Sequence, residues 1–325
     1  MNRDPLLNVE DLTVSFEADN EDIEITDKVS FKIYPGEVFG LVGESGCGKT
    51  VTALALLKLL PMPGGQILSG RVFLKGKEIL SLPLTEIRKV RGKDITMIFQ
   101  EPSASMNPLL TVENQLMECF NYHEFRGDKD ARVRDLLKLV GFPDLQRILN
   151  AYPYELSGGM LQRVMIAMAL IMGPGLIIAD EPTTALDVTV QAQVMELLMG
   201  MKNEMDTSIL LITHNMGLIA QYADRLAVMY AGRIVEEGDV DIFFDNPLHP
   251  YSRGLLDAIP RIDSERAEIA PIQGQVPQPR DYVTGCRFRD RCSHAFPLCE
   301  AKPELDLFHK NQRVACFLYN NKGNI

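Results

Sequence analysis

The chain has 325 residues, with 46% hydrophobic and 24% charged side chains, which is typical of a globular protein and excludes a disordered or collagen-like one. Lys and Arg total 33 against 44 Asp and Glu, and the resulting net charge of −11 argues against a broad nucleic-acid-binding surface. The length predicts about two domains.

No stretch of the sequence predicts a membrane span. The longest nearly continuous apolar stretch, residues 164–179, is 16 residues long and is interrupted by the Gly-Pro-Gly of residues 173–175. A spanning helix needs about 20 apolar residues. Residues 1–11 carry acidic side chains and no long apolar core, so we expect neither a secretory signal nor a transit peptide. The sequence therefore predicts a cytosolic protein.

Alternation of apolar and polar residues predicts antiparallel strands. The stretches near the N-terminus with this pattern are residues 6–16, 29–34 and 70–74. Later in the chain, residues 226–230 and 233–237 flank Ala231 and Gly232, which predicts a β-hairpin.

Continuous apolar runs predict a second kind of strand, one that is buried on both faces. These runs are residues 37–42, 95–99, 176–179 and 208–213. Helical patterns separate them, at residues 50–60 before Pro61 and through most of residues 103–172, most clearly at 133–140 and 161–172. This order predicts an α/β fold with a mostly parallel sheet, whose functional residues lie at the strand ends.

A glycine-rich loop follows the first of these apolar runs. Its residues match the phosphate-binding pattern G-x-x-x-x-G-K-[ST] in full, namely Gly43, Glu44, Ser45, Gly46, Cys47, Gly48, Lys49 and Thr50. In this pattern, backbone N–H groups and a helix N-terminus hold the phosphates, the lysine reaches the β and γ oxygens, and the hydroxyl binds Mg²⁺. We expect a nucleotide site here, with a chance glycine turn as the alternative.

Two further motifs narrow the class of nucleotide-binding protein. Residues 156–160 read Leu-Ser-Gly-Gly-Met, and residues 180–187 read Asp-Glu-Pro-Thr-Thr-Ala-Leu-Asp at the end of an apolar run. Together with the glycine loop they resemble the ATP-binding cassette (ABC) superfamily over about residues 5–240. The resemblance implies a P-loop ABC ATPase core with an antiparallel β subdomain and a helical subdomain. It places the nucleotide-binding domain at residues 1–240, with its helical subdomain at about 103–172, and a small C-terminal domain at 241–325.

The resemblance also implies roles for single residues. It implies catalytic roles for three residues. Glu181 would polarise the attacking water, His214 would be the switch residue, and Gln100 would belong to the Q-loop. The Mg²⁺ ligands would be Thr50, Gln100 and Asp180. ATP would contact the glycine loop, the ring of Phe16 and the signature residues of a second cassette, which in this chain are Ser157, Gly158 and Gly159. A core position for Phe16 and a structural helix cap for the acidic pair are the alternatives.

Within the superfamily, several segments resemble the oligopeptide/dipeptide importer branch. They are residues 99–108, 156–160, 162–170, 246–251 and 285–292. Met160 and the Cys-rich tail resemble the first of two paired ATPase subunits. The resemblance implies ATP-driven dimer closure with a homologous second ATPase, two transmembrane permease subunits, an extracellular or periplasmic solute-binding protein, and a peripheral position at the cytoplasmic face of the membrane.

Two alternatives stay open for the function. Nickel and oligosaccharide importers share the same branch of the family. A soluble ABC ATPase acting on DNA, ribosomes or cluster assembly is the rival class, but the chain lacks a long coiled-coil insertion or a second cassette, and its acidic balance disfavours a nucleic-acid partner.

Four cysteines crowd the end of the chain with the spacing C-x5-C-x6-C-x16-C. They are Cys286, Cys292, Cys299 and Cys316. The spacing matches neither a zinc ribbon nor the common ferredoxin pattern, so by itself it indicates only that four thiolates could converge. Resemblance to family members with such a tail implies a 4Fe–4S cluster. Zinc and four free or buried thiols are the alternatives.

Overall fold

The structure is a computed structural model that describes residues 4–184, 187–258, 272–309 and 311–319. Ala185 and Leu186 of the acidic motif therefore lie outside the described residues, as do parts of the predicted C-terminal domain. In the described ranges, no helix has the length and apolar character needed to cross a membrane.

The described residues form twelve strands and eleven α-helices. The strands are β1 (Leu7–Ala18), β2 (Glu21–Ile33), β3 (Val38–Val42), β4 (Gly65–Leu74), β5 (Lys77–Glu78), β6 (Ile95–Ile98), β7 (Leu176–Asp180), β8 (Ser208–Thr213), β9 (Arg225–Tyr230), β10 (Arg233–Asp239), β11 (Asp306–His309) and β12 (Gln312–Val314). The helices are α1 (Lys49–Leu56), α2 (Leu84–Val90), α3 (Pro102–Ser105), α4 (Val112–Glu118), α5 (Lys129–Leu139), α6 (Leu145–Asn150), α7 (Gly158–Leu170), α8 (Val188–Met205), α9 (Met216–Tyr222), α10 (Val240–Asp245) and α11 (Pro250–Asp257).

The chain divides into two compact units that each combine distant segments. The first unit contains Tyr34–Glu37 and Ser81–Ile212, and the second contains Leu7–Ile33, Val38–Leu80 and the described residues from Thr213 onward. The division at residue 240 between a nucleotide-binding and a C-terminal domain stays a prediction.

In the first unit, the parallel strands predicted from the apolar runs are confirmed. β6 pairs in parallel with β7, and β7 pairs in parallel with β8, so Ile95 lies opposite Leu176 and Leu176 opposite Ser208. Every residue of β6, β7 and β8 is buried, which explains why their sequences are uniformly apolar. Helices α2 to α8 make up the rest of this unit.

In the second unit, the predicted antiparallel sheet is confirmed, with strand order β2-β1-β4-β5. A second group of strands contains β3, which pairs in parallel with β9, and β9 forms the predicted hairpin with β10. β10 pairs with β12, and β12 with β11, so the end of the chain extends the hairpin.

Helix α1 ends earlier than the sequence predicts. The prediction placed its end at Pro61, but the last helical residue is Leu56. Lys58 adopts a positive φ of 52°, its N–H donates to the Ala55 carbonyl, and the N–H of Leu59 donates to the Leu54 carbonyl. These bonds form a Schellman motif, which satisfies the terminal carbonyls without a glycine.

Candidate functional site

The glycine-rich loop in the second unit joins β3 to α1 and requires glycine at defined positions. Gly43 has a φ of +154°, and a Cβ built there would lie 2.2 Å from the Met229 carbonyl oxygen. Gly48 caps α1 with a φ of 106°, and a Cβ there would lie 2.9 Å from the Met229 methyl carbon. The chain therefore passes close to β9 at both ends of the loop, and side chains at these two positions would obstruct it.

Lys49 supplies the positive charge of the loop. Its side chain is buried, and its ammonium group donates to the carbonyl oxygens of Gly43 at 2.8 Å and Glu44 at 3.0 Å. Ser45 and Gly46, which lie between Glu44 and Lys49 in the sequence, are exposed. A buried ammonium under exposed backbone N–H groups at the start of a helix is the arrangement that binds a phosphate.

Cys47 is buried inside the same loop. Its carbonyl accepts the N–H of Gly232 at 2.8 Å, and burial raises the pKa of its thiol. A protonated thiol adds no negative charge beside Lys49, so the loop keeps its attraction for an anion.

Phe16 and His214 also belong to the second unit. Phe16 is half-buried near the end of β1, opposite Gly65 of β4. His214 is exposed and directly follows β8, while Asn215 caps α9. Phe16 is thus partly exposed, as a residue whose ring stacks on a base must be.

In the first unit, the structure brings Gln100 and Glu181 together. The amide nitrogen of Gln100 donates to a Glu181 carboxylate oxygen at 3.0 Å, and the Thr184 hydroxyl donates to the same oxygen at 2.8 Å. These two bonds fix the orientation of the carboxylate at the carboxyl end of β7. Asp180, one residue earlier, is 2% exposed and is the last residue of that strand.

The backbone of Glu181 is strained. Its φ is +44°, an unusual value for a residue with a side chain, and its N–H donates to the Ile212 carbonyl at 2.8 Å. Such strain costs on the order of 1–3 kcal/mol and persists where the surrounding structure holds the residue in place, frequently at functional sites. The strain therefore supports a functional role for this carboxylate.

The signature residues begin helix α7. The hydroxyl of Ser157 caps this helix by accepting the N–H of Met160, and both Ser157 and Gly158 are exposed. A Cβ at Gly159 would lie 2.9 Å from a methyl carbon of Val190, so a larger residue would force the Val190 side chain to shift. The motif thus presents an exposed helix N-terminus, which favours an anionic ligand.

Thr184 is a site residue that the sequence analysis missed. It lies in the acidic motif, three residues after Glu181, and its N–H donates to the Glu181 carbonyl at 3.1 Å. That spacing is the signal that could have identified it, because a turn brings residues three apart into contact.

The residues assigned to Mg²⁺ provide oxygen donors, which this ion prefers. They are the hydroxyl of Thr50, the amide oxygen of Gln100 and the carboxylate of Asp180. Thr50 and Gln100 are exposed, and Asp180 follows apolar residues at a strand end. The chemistry of this donor set fits Mg²⁺.

The predicted 4Fe–4S cluster, and zinc as its alternative, are corrected by the structure. Among the described residues, no three His, Cys, Asp or Glu side chains are arranged to hold a metal ion. Cys286, Cys292, Cys299 and Cys316 are free cysteines that line a cavity of about 10 Å³.

Aromatic and aliphatic side chains lie around these cysteines. The cavity is also lined by Phe288, Phe296 and Leu318. Burial raises the pKa of Cys286 and Cys292, and raises the pKa of Cys316 to about 11. Burial thus disfavours the thiolate forms of these three partly buried cysteines, which lie beside aromatic and aliphatic side chains.

Comparison with known families gives two matches. Residues 26–184 match the family model described as ABC transporter. Residues 235–299 match the model described as oligopeptide/dipeptide transporter, C-terminal region.

Curated relatives resemble this chain over almost its whole length. The oligopeptide transport ATP-binding protein AppD of Bacillus subtilis is 47% identical, with 98% of each chain covered. The dipeptide transport ATP-binding protein DppD of the same species is 44% identical, covering 98% of this chain and 96% of the relative. The oligopeptide transport ATP-binding protein OppD of Salmonella typhimurium is 46% identical, covering 96% and 93%.

Solved structures resemble the cassette portion of the chain. A dimeric ATP-binding cassette in a post-hydrolysis state, bound to ADP and Pi, has a TM-score of 0.64 at 26% identity and covers 72% of this chain and 98% of its own. The protein cbiO1 of Clostridium perfringens, part of an ABC transporter complex, has a TM-score of 0.62 at 26% identity and covers 75% and 92%.

Proposed function

We propose a function from one premise, which is that this chain belongs to the ABC transporter family and carries the C-terminal region of its oligopeptide/dipeptide branch. It is an ABC-type ATPase, and the expected P-loop ABC fold is confirmed. Its ATP hydrolysis energises the uptake of oligopeptides or dipeptides. The observation that carries this proposal is the presence, in one chain, of the phosphate loop and the peptide-importer C-terminal region over residues 235–299.

The phosphate loop accounts for ATP binding. The N–H groups of residues 45–50 hold the phosphates, and Lys49 exchanges its loop carbonyl partners for phosphate oxygens. Phe16 stacks on the adenine. Ser157, Gly158 and Gly159 complete the ATP site of a second cassette, so ATP closes a dimer.

Hydrolysis is phosphoryl transfer to water, in which the protein supplies position and charge. Glu181 accepts a hydrogen bond from the attacking water and orients it, while Gln100 and Thr184 hold the carboxylate. His214 contacts the γ-phosphate. Thr50, Gln100 and Asp180 would hold Mg²⁺, which would supply positive charge against the negative charge of the phosphates.

ABC importer ATPases work with membrane permease subunits. For this chain we place two such permeases, a homologous second ATPase and an extracellular or periplasmic solute-binding protein in the complex, with the chain at the cytoplasmic face of the membrane. The cassette and the C-terminal region of the peptide branch together support this composition.

Uptake by cells that lack this chain tests the proposal. We expect loss of uptake of a labelled dipeptide or pentapeptide, and restoration by the wild-type chain but not by Glu181→Gln. The matched control is Gly76→Ala, which changes an exposed turn where a Cβ meets no atom within 4 Å. Normal peptide uptake in the deleted strain, with loss of nickel or oligosaccharide uptake instead, would reject the peptide substrate. Normal uptake of all three classes would favour a non-transport ATPase.

A further inference from the structure

An ion pair joins the C-terminal region to the phosphate loop. The guanidinium of Arg291 donates to the two carboxylate oxygens of Glu44 at 2.7 and 3.1 Å, across 247 residues of sequence. The Arg291 side chain is 7% exposed and that of Glu44 is 31% exposed. A bidentate, mostly buried pair has a fixed geometry, unlike an exposed pair between flexible side chains.

The remaining donors of Arg291 hold the guanidinium in place. Its Nε donates to the Gln273 carbonyl at 2.9 Å, and its Nη2 donates to the carbonyls of Ile272 and Gly274 at 3.4 and 3.3 Å. It also lies over the rings of Tyr230 and Phe288, 5.7 and 5.9 Å from their centroids. These contacts therefore hold the guanidinium of Arg291 in place independently of its ion pair with Glu44.

A second contact reaches the same loop residue. The backbone N–H of Glu44 donates to the Tyr251 hydroxyl at 2.9 Å. Tyr251 is fully buried in α11, and its ring packs against Tyr230 and Phe288, with centroids 4.6 and 5.4 Å away. Glu44 is thus held at its side chain and at its backbone by two residues of the C-terminal region.

Glu44 in turn contacts the residue that binds phosphate. Its carbonyl oxygen accepts the ammonium of Lys49 at 3.0 Å. Ser45 and Gly46, which follow it, are exposed. The contacts therefore anchor one side of the loop and leave its phosphate-binding side accessible.

We propose that Arg291 and Tyr251 are positioning residues for the phosphate loop, through which the C-terminal region sets the affinity of the chain for ATP. The inference rests on the proposed function, because it assumes that ATP binds this loop. A loop held in its binding shape loses less conformational entropy when the ligand binds. Removing the pair should weaken ATP binding, while kcat stays nearly unchanged because Glu181 and its two partners are untouched.

The test uses the full chain and equilibrium titration with a fluorescent ATP analogue. We expect Arg291→Met to raise Kd for the analogue about tenfold, and Arg291→Lys, which keeps the charge without the bidentate geometry, to raise it less. Glu44→Gln should raise Kd to a similar degree, and the double variant should be no worse than either single one. In steady-state assays, the change should appear in KM and not in kcat.

The matched control is Lys302→Met. Lys302 follows the C-terminal region in the chain and forms an ion pair at 2.8 Å with Asp27 of β2, which is not a residue of the phosphate loop. We expect this variant to lower the melting temperature with Kd unchanged. If Arg291→Met also lowers only the melting temperature, the pair is merely structural and the inference is wrong. Additive effects of Arg291→Met and Glu44→Gln would overturn it as well.

A separate variant distinguishes failure of the inference from failure of the proposed function. Lys49→Ala should abolish binding of the analogue. If binding survives that substitution, the loop is not the ATP site and the proposed function fails. If Lys49→Ala abolishes binding but Arg291→Met leaves Kd unchanged, only the positioning role is rejected.

Discussion

Replacing Gly43 by Ala should disrupt the phosphate loop by a steric conflict that can be read from the structure. The new Cβ would lie 2.2 Å from the Met229 carbonyl oxygen and 2.8 Å from the Cys47 sulfur, and real Cβ contacts essentially never fall below 3.0 Å. The closest atom belongs to the backbone of β9, so no side-chain rotation relieves the contact. The loop and the strand must separate.

The size of the effect follows from two contributions. A positive φ costs a residue with a side chain about 1–2 kcal/mol, and forcing extra atoms into a packed region costs about 1–3 kcal/mol more. We therefore expect Gly43→Ala to lower the free energy of unfolding by about 2–5 kcal/mol, a large share of the roughly 5–15 kcal/mol typical of proteins.

Gly76→Ala is the matched control. Gly76 also has a positive φ, +76°, but a Cβ there meets no atom within 4 Å, so only the first contribution applies. The chain has no Trp, so urea unfolding would be followed by far-UV circular dichroism. Gly43→Ala should also lose binding of the fluorescent ATP analogue, whereas Gly76→Ala keeps it. Equal losses of stability in the two variants would refute the argument from steric conflict.

Three further changes have defined outcomes. Glu181→Gln should keep ATP binding and slow phosphate release by about 10²–10⁴-fold; turnover near the wild-type rate would reject Glu181 as the base. Thr184→Val should lower kcat about tenfold at unchanged ATP affinity, because the carboxylate loses one orienting bond; an equal rise in KM would contradict this. Burial lowers the pKa of His249 to about 3, below its ordinary 6.5. Stability is therefore lost as pH falls from 6.5 towards 3, by about 2 kcal/mol at pH 5, and His249→Asn should abolish that loss in urea titrations at pH 7 and 5.

The central strands were predictable because their environment is uniform. β7 and β8 are buried along their whole length, so each appears in the sequence as an apolar run that ends near a polar residue. The end of α1 was not predictable in the same way. Lys58, which takes the left-handed conformation there, is neither the Gly nor the Asn that usually marks this position, whereas Pro61 is a clear stop signal.

The site was predictable where its residues are close in sequence. The phosphate loop and the acidic motif are continuous segments with fixed spacing. The pair between Glu44 and Arg291 leaves no local pattern, since 247 residues separate the two side chains. The cysteines show the converse error, because crowding in the sequence suggested a metal site, whereas the four thiols line a cavity of about 10 Å³ among aromatic and aliphatic side chains.

The two hydrogen bonds from Lys49 to loop carbonyls have a kinetic consequence. A transport ATPase passes through a nucleotide-free state in every cycle, when product has left and fresh ATP has not bound. A buried ammonium without acceptors would be costly in that interval and would slow product release. The carbonyls of Gly43 and Glu44 solvate the ammonium instead. Binding of ATP therefore exchanges these carbonyl acceptors for phosphate oxygens, and we expect the ammonium to keep hydrogen-bond partners throughout the cycle.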